Sequence, residues 1–284
     1  MYLILNLKKR LLLLLCVFLV AFFIVSLISG VVMWKFGMST PAMRIVTVIQ
    51  DVILFILPAL VTALIVTWQP ATLLCIENRP DFNATIIAIF TLLLAMPAMN
   101  FVIWLNLNVP LPSELAAALQ AMEDNAESAV KALIGPHDIP NLIMSVLIVG
   151  VLAGVSEEIL FRGGLQRLLI TGGVNRHAAI WITAIVFSLI HMQFYGFVPR
   201  MLLGAFFGYS LLWTRSLWVP IILHSINNTI YLISEYISYG SERASLVETL
   251  GQGNGYVYVA LSAAMTAFLL LQLYKYCKSH NLYS

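Results

Sequence analysis

The chain of 284 residues is 61% hydrophobic and only 10% charged, whereas soluble domains carry about 25% charged residues, so a water-soluble globular fold is excluded. A net charge of +2 with no separate cluster of Lys and Arg gives no footing to a nucleic-acid partner. The three cysteines, Cys16, Cys75 and Cys277, stand far apart without CxxC spacing; they indicate neither a disulfide framework nor a thiolate metal site, and read as apolar packing residues.

The apolar residues fall into runs of about 20, the length that crosses a hydrocarbon core of roughly 30 Å. The predicted fold class is therefore all-α: a polytopic membrane helix bundle of about eight transmembrane spans in a lipid bilayer. Lys8, Lys9 and Arg10 precede an apolar run from Leu11 to about Trp34. That run is too long for a signal peptide and is followed by no small-residue cleavage site, so it reads as a retained first span. A second span is expected from about Ile45 to Trp68 and a third from about Ala84 to Leu107. Trp34, Trp68 and Trp104 sit near span ends, where indole rings favour the interface.

Residues 108–139 differ. Pro110 and Pro112 break the chain, and Ser113 is placed to cap a helix with Leu115, Leu119, Met122, Val130 and Leu133 at helical spacing. Glu114, Glu123, Asp124 and Glu127 occupy its other face. Such a segment can lie on the bilayer or lid an opening in it, but its acidic face has no attraction for anionic lipid, and a surface linker is the simpler expectation.

A fourth span starts near Pro140 and runs towards Leu169, ended by Thr171-Gly172-Gly173. A fifth is expected from about His177 to Gln193, a short sixth from Pro199 to Trp213, a seventh from Trp218 to Tyr236 and an eighth from Tyr256 to Tyr276. With the N-terminus inside, Lys8, Lys9, Arg10, Arg79, Arg162, Arg167, Arg176, Arg215, Lys275 and Lys278 collect on one side. Lys35, Arg44, Lys131, Arg200 and Arg243 collect on the other. Ten against five predicts cytoplasmic termini under the positive-inside rule. No repeat of fixed period appears, and the chain reads as one membrane domain in three parts. Residues 1–139 hold three spans and the amphipathic segment, 140–236 the core rich in polar residues, and 237–284 the last span and tail.

The chemistry concentrates in spans four, five and seven. Glu157, Glu158 and Arg162 stand in an apolar helix, where each charge costs roughly 2.5 to 3.5 kcal/mol on insertion scales and marks a functional site. Glu158 and Arg162, four apart, share a helix face and can pair. Glu157 is turned about 100° away, free for another partner. Span five carries His191 and span seven carries His224 and Asn228, four apart and stacked on one face. A carboxylate with a neutral imidazole can hold and deprotonate a water, while a second imidazole and an amide can donate to an oxyanion. These parts suffice for amide hydrolysis. Taken singly, His191 suits a core histidine, Asn227 a structural amide, and His137, His177 and His280 solvated loop or end positions.

The ordered set Glu157-Glu158-x-x-x-Arg162, Phe187-x-x-x-His191 and His224-x-x-x-Asn228, with Phe161-Arg162-Gly163 completing the first motif, resembles the CAAX-processing and bacteriocin-processing (CPBP, or Abi) family of intramembrane proteases. The resemblance implies an endopeptidase acting on a membrane-associated, lipidated CAAX-like or bacteriocin-type peptide. It implies Glu157 as the water-activating base, His191 as its partner on that water, His224 and Asn228 as oxyanion stabilisers, and Glu158 with Arg162 as support. Zinc is the cofactor to be weighed: Glu157, His191 and His224 offer it a carboxylate and two imidazoles. The absence of HExxH spacing favours the metal-free account. No Gly-x-Ser-Gly or Gly-x-Gly-Asp sequence supports a serine or aspartyl intramembrane protease. The alternative from another class is a non-catalytic membrane protein, binding or transporting a solute or peptide through the same polar cavity in the manner of bacteriocin immunity proteins.

Overall fold

A computed structural model describes residues 4–239, 251 and 255–282; Arg243, counted above among the outer charges, lies outside them. Among the described residues every regular element is helical. The helices are α1 (Leu7–Phe36), α2 (Thr40–Val66), the short α3 (Pro70–Leu74), α4 (Phe82–Leu107), α5 (Ser113–Ile134) and α6 (Ile139–Thr171), then α7 (Arg176–Leu189), α8 (Phe197–Thr214), α9 (Trp218–Ser238) and α10 (Tyr256–Ser279). The polytopic helix bundle expected from the apolar runs is the observed architecture.

Five helices, α1, α2, α4, α6 and α10, are long and apolar enough to cross a membrane. The remaining three expected spans are α7, α8 and α9, of 14, 18 and 21 residues. Shortness in α7, and polar side chains such as His224, Asn227 and Asn228 in α9, set them apart from the others. They are the helices that surround the polar site. Lipid-facing character is plain elsewhere: Leu12, Phe23, Leu64, Phe90 and Leu261 are exposed, and Trp34 and Trp68 are each 87% exposed at span ends, as interfacial indoles should be.

Among the described residues the two largest apolar cores hold the bundle together. Leu14, Phe55, Leu73, Phe161, Leu168 and Phe187 join α1, α2, α3, α6 and α7. Ala84, Ala88, Leu92, Phe207, Leu223 and Leu273 join α4, α8, α9 and α10. Cys75 and Cys277 are buried in such packing, while Cys16 is exposed.

α5 starts at Ser113, but its cap position is Pro112 and no side chain caps it. The helix is no loose linker. Leu133 is buried, its carbonyl accepts from Arg44 Nε at 3.2 Å, and Glu123 reaches the loop before α8. α6 begins at an Asp138 cap whose carboxylate accepts the Asn141 N–H at 2.8 Å. It contains two stretches of wide i→i+5 turns, Val146–Leu152 and Ile159–Gln166, on either side of Ala153–Glu158. Such turns recur at functional sites because they displace backbone groups and re-aim side chains.

Candidate active site

α6 and α9 run antiparallel and very close, because α6 presents glycine where α9 crosses it. A Cβ on Gly154 would lie 2.7 Å from Ser225 Oγ and 3.0 Å from Ser225 N, and one on Gly150 would lie 2.7 Å from Thr229 Oγ1. Small residues four apart let two membrane helices approach backbone to backbone. The approach sets His224 of α9 against both glutamates of α6.

His224 Nδ1 lies 2.9 Å from Glu158 Oε1, and its Nε2 lies 3.8 Å from Glu157 Oε2. The same Glu158 oxygen accepts Arg162 Nη1 at 2.6 Å. Arg162 is fully buried. Its Nη2 donates to Gly204 O at 3.0 Å, and its guanidinium carbon stands 4.5 Å from the Phe187 ring centroid and 5.4 Å from that of Phe207. One turn on, Gln166 Nε2 donates to Gly208 O at 3.0 Å. Glycine at 204 and 208 exposes the carbonyls that hold the polar face of α6.

Exposure separates the two glutamates. The side chain of Glu158 is wholly buried, that of Glu157 is 14% exposed, and Glu157 Oε2 has no hydrogen-bond partner. Glu158 engages Arg162 and His224 through Oε1 while its Oε2 is unpartnered, whereas the Glu157 side chain has an edge that solvent reaches. The Glu158–Arg162 pair expected from spacing is present, with His224 as its third member.

His191 lies beyond the end of α7, at Leu189, rather than within it. The chain turns there, with Met192 at φ 55°. The imidazole is anchored back on the helix, with Nδ1 2.7 Å from Phe187 O. Since a carbonyl only accepts, Nδ1 carries the proton and Nε2 of the neutral ring is an acceptor. Phe187 stands between the two histidines, its centroid 5.0 Å from His191 and 5.8 Å from His224. His224, Arg162 and Arg200 are all within electrostatic range of His191.

Asn228 does not converge on the point that His224 reaches. Its Nδ2 donates to Val149 O at 3.1 Å, a carbonyl in the first wide-turn stretch of α6, because antiparallel packing carries α9 away from Glu157 as it proceeds. Zinc fares worse: among the described residues no three His, Cys, Asp or Glu side chains are grouped to hold a metal ion, so the set Glu157, His191 and His224 is not assembled as a ligand cluster.

Three further polar groups join the site. Asp51 on α2 is buried and accepts Ser156 Oγ–H at 3.1 Å, with its other oxygen unpartnered. It lies within electrostatic range of Glu157. Arg200, at the start of α8, faces Glu157 and His191 in the same sense. Glu123 of α5 accepts Gln193 Nε2 at 3.0 Å and the Tyr195 N–H at 3.2 Å in the loop that carries His191. A lone acid inside the apolar run from Ile45 to Trp68 was a legible signal for Asp51. The remaining two depend on which helices meet. The other histidines, His137, His177 and His280, are exposed, as expected of them, and also partnered: His137 is stacked between Tyr236 and Tyr239, at 4.0 and 4.3 Å, and His177 Nδ1 lies 2.9 Å from Tyr209 Oη.

Residues 139–230 match the model of a family described as type II CAAX prenyl endopeptidase Rce1-like. Over these residues the chain is similar to an Rce1-like domain. The matched stretch runs from the start of α6 to within α9, so it contains all six motif residues, Glu157, Glu158, Arg162, His191, His224 and Asn228, and leaves Asp51 and Glu123 outside. The match agrees with the resemblance carried by the three motifs and supports intramembrane protease activity in general. With the five long apolar helices it makes this an integral membrane protein, and proteases of this kind act on membrane-associated peptides. No curated protein and no solved structure matches the chain.

Proposed function

We propose that the protein is an intramembrane endopeptidase that uses Glu157 to activate water and cleaves a lipidated, CAAX-like peptide near the cytoplasmic face. The observation that carries this reading is the 3.8 Å approach of His224 Nε2 to the buried, unpartnered Glu157 Oε2, with Glu158 held behind the imidazole.

Glu157 takes one proton from a water molecule whose oxygen attacks the scissile carbonyl carbon. As the C–O bond forms, the carbonyl π electrons move onto its oxygen. His191 Nε2, an acceptor while Nδ1 donates to Phe187, orients the second proton of that water. His224 has its Nδ1–H on Glu158, and when the ring is an imidazolium its Nε2 donates to the oxyanion. Collapse of the intermediate breaks the C–N bond, and the leaving amine takes the proton from Glu157. Arg162 holds Glu158 in place through Nη1. Every step uses the chain's own residues, and no step is routed through a metal.

The test is hydrolysis of a fluorogenic peptide bearing a prenylated cysteine by protein reconstituted in lipid. Glu157→Gln is expected to lower kcat by about 10²- to 10⁴-fold, the range of a general base, without lowering the melting temperature. Full activity in Glu157→Gln overturns the reading and leaves the solute-binding alternative. Loss of activity with chelator and its return with zinc replaces the metal-free mechanism.

A further inference from the structure

Arg200 brings a positive charge to the site, with Glu157 and Glu123 within electrostatic range but no carboxylate among the described residues in contact with it. Its Nη2 donates to Gln193 Oε1 at 2.7 Å, and Gln193 is held in turn by Glu123. Its Nη1 is buried and has no hydrogen-bond partner. Among the described residues no carboxylate oxygen stands within 4.0 Å of the guanidinium, although Glu157 is near enough to act on it electrostatically. Its position is built: the guanidinium lies across Gly196, where a Cβ would fall 2.9 Å from Nη2 and 3.2 Å from Nη1. The residue also occupies the first turn of α8, where the helix dipole disfavours a cation and favours an anion.

A buried N–H of a charged group that lacks an acceptor costs free energy. A fork fixed by Gln193 and Gly196 suits a planar carboxylate. We infer that Arg200 anchors a carboxylate of the substrate peptide through Nη1, a short distance from the bond that Glu157 and its water cleave. The inference rests on the peptidase reading above and adds specificity to it. A peptide offers two sources of that chemistry, its terminal α-carboxylate or an Asp or Glu side chain.

Three peptides of one sequence decide it: one with a free C-terminal carboxylate, one with a terminal carboxamide, and one amidated but carrying a glutamate near the cleavage site. The wild type is expected to show a KM about 10- to 100-fold higher for the plain carboxamide than for the free acid, the worth of one charge-assisted hydrogen bond. A low KM confined to the free acid assigns the terminal carboxylate; a low KM for the glutamate peptide as well shows that either carboxylate fills the anchor. Arg200→Gln should raise KM for the preferred peptide to the carboxamide level, removing the preference between the two peptides, and Arg200→Lys should keep part of the preference. Equal wild-type KM for all three peptides overturns the inference, as does an equal loss on all three in Arg200→Gln. Either result leaves the peptidase reading standing, which falls only on the Glu157→Gln test.

Discussion

Glu158 Oε1 and His224 Nδ1 are 2.9 Å apart, and the same oxygen holds Arg162 at 2.6 Å. A single buried carboxylate thus serves a structural cation and an imidazole. Removing its charge isolates Arg162 in a fully buried position, and breaking a buried pair of this kind costs about 3–5 kcal/mol. Glu158→Gln is therefore expected to lose both stability and activity, whereas Glu157→Gln loses activity alone. Unfolding in detergent and peptidase rate, measured on both variants, separate the two roles. Equal melting temperatures for the two would contradict the division.

Gly154 sets the distance between α6 and α9. Alanine there puts a methyl carbon 3.0 Å from the Ser225 backbone nitrogen, which a rotamer change cannot relieve, so α9 must move and take His224 with it. A displacement of about 1 Å at a catalytic group costs on the order of 100-fold in rate. Gly154→Ala should thus lower kcat by one to two orders of magnitude, roughly, with far less effect on expression. Ser225→Ala in the same background should not rescue it, because the close contact with the backbone remains.

The start of α6 gives a pH dependence whose sign can be worked out. Asp138, outside the membrane-spanning segment, accepts the Asn141 backbone N–H and side-chain Nδ2, both at 2.8 Å, and these bonds hold its carboxyl below the usual 3.8. A depressed folded value means that the cap contributes fully above the unfolded value and is lost as pH falls through the folded one. Asp138→Ala should melt below the wild type at neutral pH, and the gap should close as the pH is taken below about 3.8. A gap that persists undiminished in acid would assign the loss to something other than the carboxylate.

The sequence carried the helices well because apolar length is a local property: the expected starts of the fourth, seventh and eighth spans fall at Pro140, Trp218 and Tyr256, within a residue of those observed. The Glu158–Arg162 pair was legible for the same reason, since residues four apart on a helix are neighbours whatever surrounds them. His224 was legible as a polar group and not as a ligand of Glu158, because that contact depends on Gly150 and Gly154 bringing two distant helices together. His191 was placed inside its helix because nothing in residues 187–193 foretells the left-handed Met192. Helical spacing alone puts Asn228 and His224 on one face, but an antiparallel neighbour presents successive turns to different partners, here Val149 O for Asn228 and Glu158 for His224. Arg200 and Glu123 looked like an outer charge and a solvated acid, and only the tertiary fold puts them beside the site.

Glu123 joins the amphipathic helix to the loop of His191. It accepts Gln193 Nε2 and the Tyr195 N–H, while Asn106 Nδ2 reaches the carbonyls of Phe194 and Tyr195 at 3.1 and 2.8 Å. Loops held by few hydrogen bonds open with little free energy, and each lost bond appears directly in amide exchange. Glu123→Ala removes both acceptors from a partly exposed site, so the expected result is faster exchange of the Tyr195 amide and its neighbours in residues 190–196, with α6 and α9 unchanged. Gln193 is then free to release Arg200, and KM for the preferred peptide should rise while kcat falls less. Unaltered exchange at Tyr195 would show that α5 merely lies beside the loop, and an equal fall in protection throughout the bundle would show a general loss of stability instead of a local clasp.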